Sequence, residues 1–434
     1  MGKKRIWMAL TVLAALLSLP FTAQAYSPGE EAAINFPRLF LPFDATNVSF
    51  EMTGGQVFVS NAPETINEDG ALREDGSVIT GQYNATLYRD TVTGAFRFWG
   101  SHYNKTTRPL KFWVHVHNPS HHDIRFYVWN EAYSDGPVTA AASEVTRTFM
   151  DTTPQKRLLA TIPAGDSYYF SYSDEDHVAV NESVVYFAQF SAESAVDGSD
   201  ADVLVSHVVT TTDVVDPTPY ATTATIARTN ATATKSDDYR GLLQHWGRIG
   251  TLEATLTDAN PFFGLKLGDL GYSGEQEPLL TRWNVFGQAV EQQEVRFVTP
   301  TLNKLRQAYW YIDYDMHIRL HNETGFPTVH TLYGSNGSNP GFVNYQLNGG
   351  PANNYHFSRN TAVPVTTETD YRLRMMVMPS SSLPFGLYFA AGDESRVPDE
   401  IAVYKAEHTL AAADADQAEA IVNALPAGAE REQL

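Results

Sequence analysis

Hydrophobic and polar residues alternate in short runs along most of this chain, and polar turns separate the runs. Leu110–His117 alternates and stops at Asn118-Pro119, and residues 123–129 repeat the pattern at once. Because side chains on a strand point alternately to its two faces, such alternation predicts β-strands. Together with a strand around residues 96–99, these runs predict an antiparallel meander.

The same pattern continues through the rest of the chain. Further strands are predicted at 168–170, 184–190, 203–209, 251–256, 292–298, 309–321, 329–333, 371–378 and 387–390. Residues 144–157 favour a short helix or a crossover, and the Ala-rich residues 411–425 favour a peripheral helix or a frayed extension. The Thr- and Ala-rich stretch within 213–236 suits a linker or a solvated edge strand that crosses between domains.

These elements predict an all-β protein built from two tandem antiparallel β-sandwich domains of the jelly-roll or immunoglobulin-like kind. We place the domains at residues 26–215 and 216–404, with a short helix or tail at 405–434. A weak internal repeat agrees with two related halves, because residues 112–118 and 316–322 are both alternating strands that close on His-Asn.

The N-terminal residues predict export. Residues 3–5 are basic, residues 6–19 are apolar, and residues 23–25 read Ala-Gln-Ala, a small-x-small cleavage site. This is the pattern of a signal peptide, residues 1–25, so we expect a mature chain from Tyr26 with no membrane span after cleavage. We therefore expect a secreted protein of the extracellular space or the cell envelope.

Charge and cysteine content narrow the classes of partner and the source of stability. The formal net charge is −20, and it becomes −23 once the three basic residues of the signal peptide are removed. Nucleic acid is not an expected partner, because phosphate binding needs a basic face, whereas an acidic excess favours solubility and cations. The chain has no cysteine, so each domain must be stable without disulfides.

Five segments carry a resemblance to known proteins. They are residues 96–104 (FRFWGSHYN), 110–119, the Ile-Pro-Ala-Gly turn at 162–165, 239–243 (YRGLL), and 372–387 with its Pro-Ser-Ser-Ser-Leu-Pro loop. These segments resemble a group of secreted bacterial proteins of unknown function, often found beside copper amine oxidase N-terminal-like domains. The resemblance implies a β-rich envelope or extracellular protein and brings no catalytic residues. The amine oxidase-like module is not visible in the chain, so no copper site is implied.

Two histidines on one strand are the first candidates for metal binding. His115 and His117 lie two residues apart and so share a face, and His121-His122 follows the next turn. Three imidazoles brought together in this way suit one zinc or copper ion. The alternative is that they are polar residues of a solvent-facing strand, since neither cysteine nor a carboxylate stands at motif spacing.

Acidic loops are the second candidates, for a structural calcium ion. Calcium takes oxygen ligands from loops of this composition, but neither loop has the spacing of an EF-hand, so solvated turn charges are the alternative. The residues concerned are Asp197, Asp200 and Asp202, the acidic run at 174–176, and the strand pair Asp313 and Asp315, for which the same alternative holds.

Aromatic residues crowd the predicted meander and are candidates for ligand binding. Trp99, Trp113 and Trp129 lie close in sequence, and exposed aromatic rings on a sandwich face stack on sugars. The same rings fit a sandwich core equally well. The three tryptophans are therefore candidate carbohydrate-binding residues, with a buried position as the alternative.

No catalytic motif stands out. The chain has no Gly-x-Ser-x-Gly elbow, no His-Glu-x-x-His helix and no phosphate-binding glycine loop, and abundant carboxylates alone do not indicate a glycosidase. We therefore expect a non-catalytic structural or binding protein without a cofactor other than structural calcium. Its expected partner is a cell-wall or extracellular polysaccharide or another protein. The alternatives are a carbohydrate-binding module or carbohydrate-active enzyme, and a calcium-stabilised adhesin.

Overall fold

β-Strands make up most of the described chain, so the prediction of an all-β fold is confirmed. The computed structural model describes residues 50–73, 75–172, 177–223, 225–226, 240–257, 262–267, 282–283, 289–290, 310–323, 329–335, 341–357, 363–366, 368–379, 385–391, 416, 419–420 and 423. The signal peptide, the end of the predicted linker and all but a few positions of the predicted tail lie outside these residues. None of the helices described here is long and apolar enough to cross a membrane.

The strands are numbered in chain order. They are β1 (Glu51–Thr53), β2 (Gln56–Ser60), β3 (Thr65–Ile66), β4 (Ala71–Leu72), β5 (Val78–Ile79), β6 (Ala85–Thr93), β7 (Ala95–Asn104), β8 (Leu110–His117), β9 (Ile124–Gly136), β10 (Arg157–Ile162), β11 (Ser167–Ser171), β12 (Ser183–Ser194), β13 (Asp202–Thr211), β14 (Arg240–Leu243), β15 (Gly247–Leu256), β16 (Phe262–Leu267), β17 (Arg282–Trp283), β18 (Ala289–Val290), β19 (Asp313–Asn322), β20 (Val329–Ser335), β21 (Gly341–Leu347), β22 (Asn353–Phe357), β23 (Val363–Thr366), β24 (Asp370–Val377) and β25 (Phe385–Ala391). Helix α1 (Val138–Asp151) follows β9, and helix α2 (Thr218–Ala221) follows β13.

Two sheets enclose the first hydrophobic core. One runs in the order β10-β9-β12-β7-β2-β14, with β3 beside β7, and the other in the order β11-β8-β13-β6. Alternate residues of both sheets point into the core, including Phe98 of β7, Phe112 of β8 and Phe190 of β12, all fully buried. We call this unit the first sandwich; its two sheets face each other as the alternation predicts.

The predicted meander of residues 96–129 is wrong. β7 and β9 belong to one sheet of the first sandwich and β8 to the other, so the chain crosses the core twice. Asn104 and Asn118 stand at the two crossings, and both are fully buried. Each side-chain amide nitrogen lies 2.8 to 3.1 Å from three backbone carbonyl oxygens, which share its two N–H donors, and this fixes the corner. A meander would instead need tight turns between paired strands.

A six-stranded sheet has the order β1-β15-β19-β24-β21-β22. Smaller sheets have the orders β16-β25-β20-β23, β17-β18 and β4-β5. Most neighbours are antiparallel, but β2 and β3 pair with β7 in parallel, as β15 does with β19. The prediction of purely antiparallel pairing therefore needs correction at these strands, which long connections bring together.

The sheets exchange strands across the predicted domain boundary at residue 215. β14 pairs with β2 at the edge of the first sandwich, and β1 pairs with β15 in the six-stranded sheet. Each sheet thus takes an edge strand from the other part of the chain. The limits of the sheets consequently do not coincide with the boundary predicted between residues 215 and 216.

A second core joins the outer face of the first sandwich to the six-stranded sheet. Trp99 and Phe187 come from the sandwich, and Tyr314 and Met375 come from the six-stranded sheet. Helix α1 completes this core, since its buried residues recur at the three- and four-residue spacing of one helix face. The helix begins after Pro137, six residues before the segment predicted at 144–157, and ends at Asp151.

A candidate binding groove on the six-stranded sheet

Two of the three predicted ligand-binding tryptophans are core residues. Trp99 is entirely buried in the second core, where its ring centroid lies 5.0 Å from that of Tyr311. Trp113 is 4% exposed, and its Nε1 donates a hydrogen bond of 2.9 Å to Oγ1 of Thr210. The prediction of exposed platforms is wrong for both, because both faces of the strands that carry them are covered.

Trp129 is half-buried on the outer face of β9. Its Nε1 donates to Oγ of Ser191 at 2.9 Å, which holds the ring in place. The ammonium of Lys156 lies 5.5 Å from the Trp129 ring and 4.2 Å from the Tyr127 ring, and it also forms an ion pair with Glu193. The lysine thus occupies the space beside both rings, where cation–π attraction and the ion pair hold it.

His115 and His117 share the outer face of β8, as the alternation predicts. His115 is 3% exposed and stacks on Tyr169, and burial, reinforced by the neighbouring His117, lowers the pKa of His115 to about 4. His117 lies within hydrogen-bond distance of Ser167, 3.2 Å from Nδ1 to Oγ. Across the described part of the chain, no three His, Cys, Asp or Glu side chains are grouped to hold a metal ion.

The acidic loop after β12 makes local hydrogen bonds. Asp197 accepts from the backbone and hydroxyl of Ser199 at 3.2 and 2.8 Å, and these bonds lower the pKa of Asp197. Asp202 accepts from Oγ1 of Thr93 at 2.6 Å, while the Asp200 carboxylate lies against Gly94. All three residues are exposed: Asp197 lies in the turn after β12, Asp200 forms a single β-bridge with Glu193, and Asp202 begins β13. The acidic run at 174–176 lies outside the described residues.

A groove of about 390 Å³ lies on one face of the six-stranded sheet. The opposite face of the same strands, with Tyr314, Met316 and Ile318, is buried in the second core. Alternation along β19 and β24 therefore places polar side chains in the groove. The polar residues that line it are Thr251, Asp315, His317, Asn348, Asp370 and Arg372.

Ion pairs between β19 and β24 organise the groove. Arg372 donates from Nε to Oδ1 of Asp315 at 2.6 Å and from Nη2 to the other carboxylate oxygen, so the pair is bidentate. This hydrogen bonding raises the pKa of Arg372. His317 Nε2 lies 2.7 Å from Oδ1 of Asp370. In each pair the β24 residue lies two positions along its strand from the register partner of the β19 residue, and this diagonal separation is within reach of long side chains.

The same diagonal arrangement continues beneath helix α1 as a triad of two buried residues, Asp313 and Arg97, and the half-buried Arg374. Asp313 accepts from Arg374 at 3.0 Å and from Arg97 of β7 at 2.5 Å. Burial raises the pKa of Asp313, but attraction to the two arginines outweighs it, and the net pKa lies below the usual value. Arg97 also lies 5.1 Å from the rings of Phe149 and Trp246. This triad ties the six-stranded sheet to the first sandwich.

Helix α1 covers one end of the polar face of the six-stranded sheet. Gln346 Nε2 donates to the carbonyl of Met150 at 3.1 Å, and Asn344 Nδ2 donates to that of Ser143 at 3.2 Å. These contacts seal the triad end of the sheet. Among the described residues no helix lies over the Asp315 end: the Arg372 side chain is 66% exposed and that of Asp370 69% exposed.

A second polar cluster lies inside the first sandwich and is closed. His102 Nδ1 lies 2.7 Å from the carbonyl of Pro63 and must donate to it. Burial lowers the pKa of His102 to about 4, so its ring is neutral and Nε2 is an acceptor. His207 Nδ1 lies 3.4 Å from this nitrogen and 2.8 Å from Ser60 Oγ. His207 Nε2 then accepts from the Tyr172 hydroxyl at 2.6 Å. The polar atoms of this cluster satisfy one another.

The sequence predicts only part of the groove. Asp315, together with Asp313, is a candidate site residue on sequence grounds, whereas His317, Asp370 and Arg372 are not. The available signal is the alternation of polar residues with Tyr and Leu in β24, which matches the alternation in β19. That signal marks an exposed face on both strands but does not say that the strands are neighbours.

Comparison with known proteins gives no family. No family model matches the chain, and no curated protein sequence does either. A cryo-EM structure of Broad Bean Stain Virus aligns at 10% identity over 87% of this chain and 93% of that one, with a TM-score of 0.14. A multicopper oxidase aligns at 10% identity over 80% and 89%, with a TM-score of 0.11. The tandem CBM22 domains of Paenibacillus barcinonensis Xyn10C align at 9% identity over 85% and 98%, with a TM-score of 0.12. These TM-scores carry no argument about fold or function.

Proposed function

We propose that this protein is an exported, non-catalytic binding protein that holds a neutral, hydroxyl-rich ligand, a glycan, in the groove of the six-stranded sheet. The observation that carries the proposal is the row of ion-paired side chains that faces an open groove of about 390 Å³. Grooves of roughly 300 to 1,000 Å³ are typical of small-molecule sites.

The ion pairs support recognition of hydroxyl groups. A sugar hydroxyl both donates and accepts, and neighbouring hydroxyls need donors and acceptors side by side. Arg372 has five N–H donors, two of which bond to Asp315, and Asp370 offers a carboxylate oxygen beyond the one near His317. Because the pairs already fix these side chains, little conformational entropy is lost when a ligand binds.

The charge of the groove supports a neutral ligand. Its lining contains two carboxylates, Asp315 and Asp370, and one arginine, Arg372. The whole chain carries a formal net charge of −20, which repels polyanions such as nucleic acids and strongly acidic polysaccharides. A neutral polysaccharide of the cell wall or the extracellular space fits both conditions.

The basic, apolar and small-residue segments of residues 1–25 support export to the extracellular space or the cell envelope. One contact favours binding over catalysis. Both oxygens of Asp315 are held by Arg372, so this carboxylate is arranged to hold polar groups rather than to exchange protons with a substrate.

A binding screen with a matched pair of variants tests the proposal. Purified protein is passed over immobilised xylan, mannan, β-glucan, chitin and peptidoglycan, and so are Arg372→Ala and the control Arg157→Ala. Arg157 is equally suitable for removal, since it is 60% exposed and ion-paired with Glu131 outside the groove. We expect at least one polysaccharide to retain the wild type and Arg157→Ala but not Arg372→Ala. Retention of none, or of all three proteins alike, contradicts glycan binding in the groove. Release of sugars contradicts the non-catalytic assignment.

A further inference from the structure

Residues 213–223, which include helix α2, cross the outer face of the four-stranded sheet of the first sandwich. We call this segment the strap. Side chains of β6 hold its backbone: Thr86 Oγ1 donates to the carbonyl of Tyr220 at 2.7 Å, and Arg89 Nη1 donates to that of Ala221 at 3.1 Å. Beneath it, Ala221 packs on Trp113 and Val208 in a small separate cluster. Arg89 also donates to the carbonyl of Thr223 at 3.2 Å, and Ser206 Oγ to that of Ala221 at 3.4 Å. The strap is thus held through its backbone carbonyls and covers an apolar patch.

His115 lies beside Ser206, which donates to the strap carbonyl of Ala221, and both ring nitrogens of His115 are buried without a hydrogen-bond partner on another residue. Its neighbours come from each packed element: His117 on its own strand, Tyr169 stacked on it from β11, Ser206 opposite it on β13, and Asp216 of the strap. Among them only Asp216 favours a positive charge on His115, whereas burial and His117 oppose it.

Both protonation states of the His115 imidazole are unfavourable in this position. The neutral ring leaves one buried donor and one buried acceptor without a hydrogen bond. The protonated ring leaves two buried donors without a hydrogen bond and adds a desolvated charge. Lifting the strap exposes the ring to water and removes both penalties. The closed position therefore requires the neutral imidazole much more strongly than the open position does.

We propose that the strap is an acid-released cover, which opens residues 213–223 and exposes Trp113 and Tyr169 when His115 takes up a proton, while both sheets of the first sandwich stay folded. This device is independent of the groove and goes beyond glycan binding. Its consequence is that an aromatic face, closed at neutral pH, becomes accessible in acidic surroundings.

The sign and size of the effect follow from proton linkage. The closed position holds the pKa of His115 at about 4, against an ordinary value of 6.5. The closed state thus binds fewer protons, so its advantage is present above pH 6.5 and is lost as the pH falls through 4. Between pH 7 and pH 4.5 the opening equilibrium rises roughly sixtyfold.

Hydrogen exchange on the full chain tests this device, with rates corrected for the intrinsic effect of pH. We expect protection of the strap amides to fall roughly sixtyfold from pH 7 to pH 4.5, while the amides of β12 keep theirs. His115→Phe retains a ring against Tyr169 but cannot be protonated, so its strap should show no such fall. His121→Gln, at an exposed position in the turn after β8, should behave as the wild type.

Three results overturn the proposal. They are unchanged strap protection in the wild type, equal loss of protection by the strap and β12, and an undiminished pH effect in His115→Phe. If His115→Phe does not fold, His115→Leu replaces it, and the wild-type comparison of the strap with β12 decides by itself whether the opening is local.

Discussion

Polar side chains find hydrogen-bond partners in two different ways in this protein. One group is the closed cluster of His102, His207 and Tyr172, and the other is the open row of ion pairs on the six-stranded sheet. In the closed cluster each polar atom has a partner within the first sandwich, and all three residues are buried. In the groove, the pairs use only part of the hydrogen-bonding capacity of Arg372 and Asp370, and both side chains are more than half exposed. Polar groups that are paired and enclosed stabilise a fold, whereas polar groups that are paired and open can also take a ligand.

The largest loss of stability is expected at Asp313, whose ion pairs lie beneath helix α1. Asp313→Ala leaves the buried Arg97 and the half-buried Arg374 without the carboxylate they share, so we expect a loss of about 3 to 5 kcal/mol in the free energy of unfolding, measured by urea denaturation. Asp315→Ala, two residues along the same strand and in the open part, should cost about 1 kcal/mol or less. Equal losses for the two variants would show that the closed and open parts do not differ.

The closed cluster should make stability depend on pH. Folding depresses the pKa of His102 to about 4, and burial, with the neighbouring His102, also holds the pKa of His207 well below its usual value. The folded state binds fewer protons, so stability is present above pH 6.5 and is lost as the pH falls towards 4. One such histidine accounts for about 2 kcal/mol between pH 7 and pH 5. Urea denaturation across this range should show it, and His102→Gln should flatten the curve. A curve as steep as that of the wild type would assign the loss to other groups.

Tyr172→Phe tests a single bond of the closed cluster. The variant keeps the aromatic ring but leaves His207 Nε2 without the donor that now lies 2.6 Å away. Leaving a buried acceptor unsatisfied should cost about 1 to 2 kcal/mol in the free energy of unfolding. Wild-type stability in this variant would mean that another donor reaches His207.

Arg372→Ala should have the smallest effect on stability. Its side chain is 66% exposed, and exposed ion pairs contribute about 1 kcal/mol or less. Urea denaturation should therefore barely distinguish it from the wild type. A loss as large as that of Asp313→Ala would place Arg372 in the structural part of the polar row.

The strands were predictable, but their arrangement was not. Residues 110–117 were bounded correctly, because alternation is a local property. Which strands pair was set by the corners at Asn104 and Asn118, whose amides bond to carbonyls distant in sequence, such as Val178 and Ile162. Alternation also misled for Trp99, because both faces of β7 are buried, one in each core.

The groove shows the same limit of sequence reasoning. Asp315 was recognisable as one of two acidic residues on a strand, but Arg372 lies 57 positions further along the chain. Only the sheet order, which makes β19 and β24 neighbours, brings the two side chains together. The sequence of each strand therefore predicts a polar face, but neither sequence by itself predicts the groove.

Affinity and stability measured side by side on two variants test the distinction between closed and open polar groups most directly. Wild type, Tyr172→Phe and Arg372→Ala are titrated with the soluble form of the polysaccharide that retains the wild type best, and each is also unfolded in urea. We predict that Tyr172→Phe loses stability and keeps its affinity, while Arg372→Ala keeps its stability and binds at least about tenfold more weakly, which is about 1.4 kcal/mol. Undiminished affinity in Arg372→Ala, with weakened affinity in Tyr172→Phe, would contradict the account.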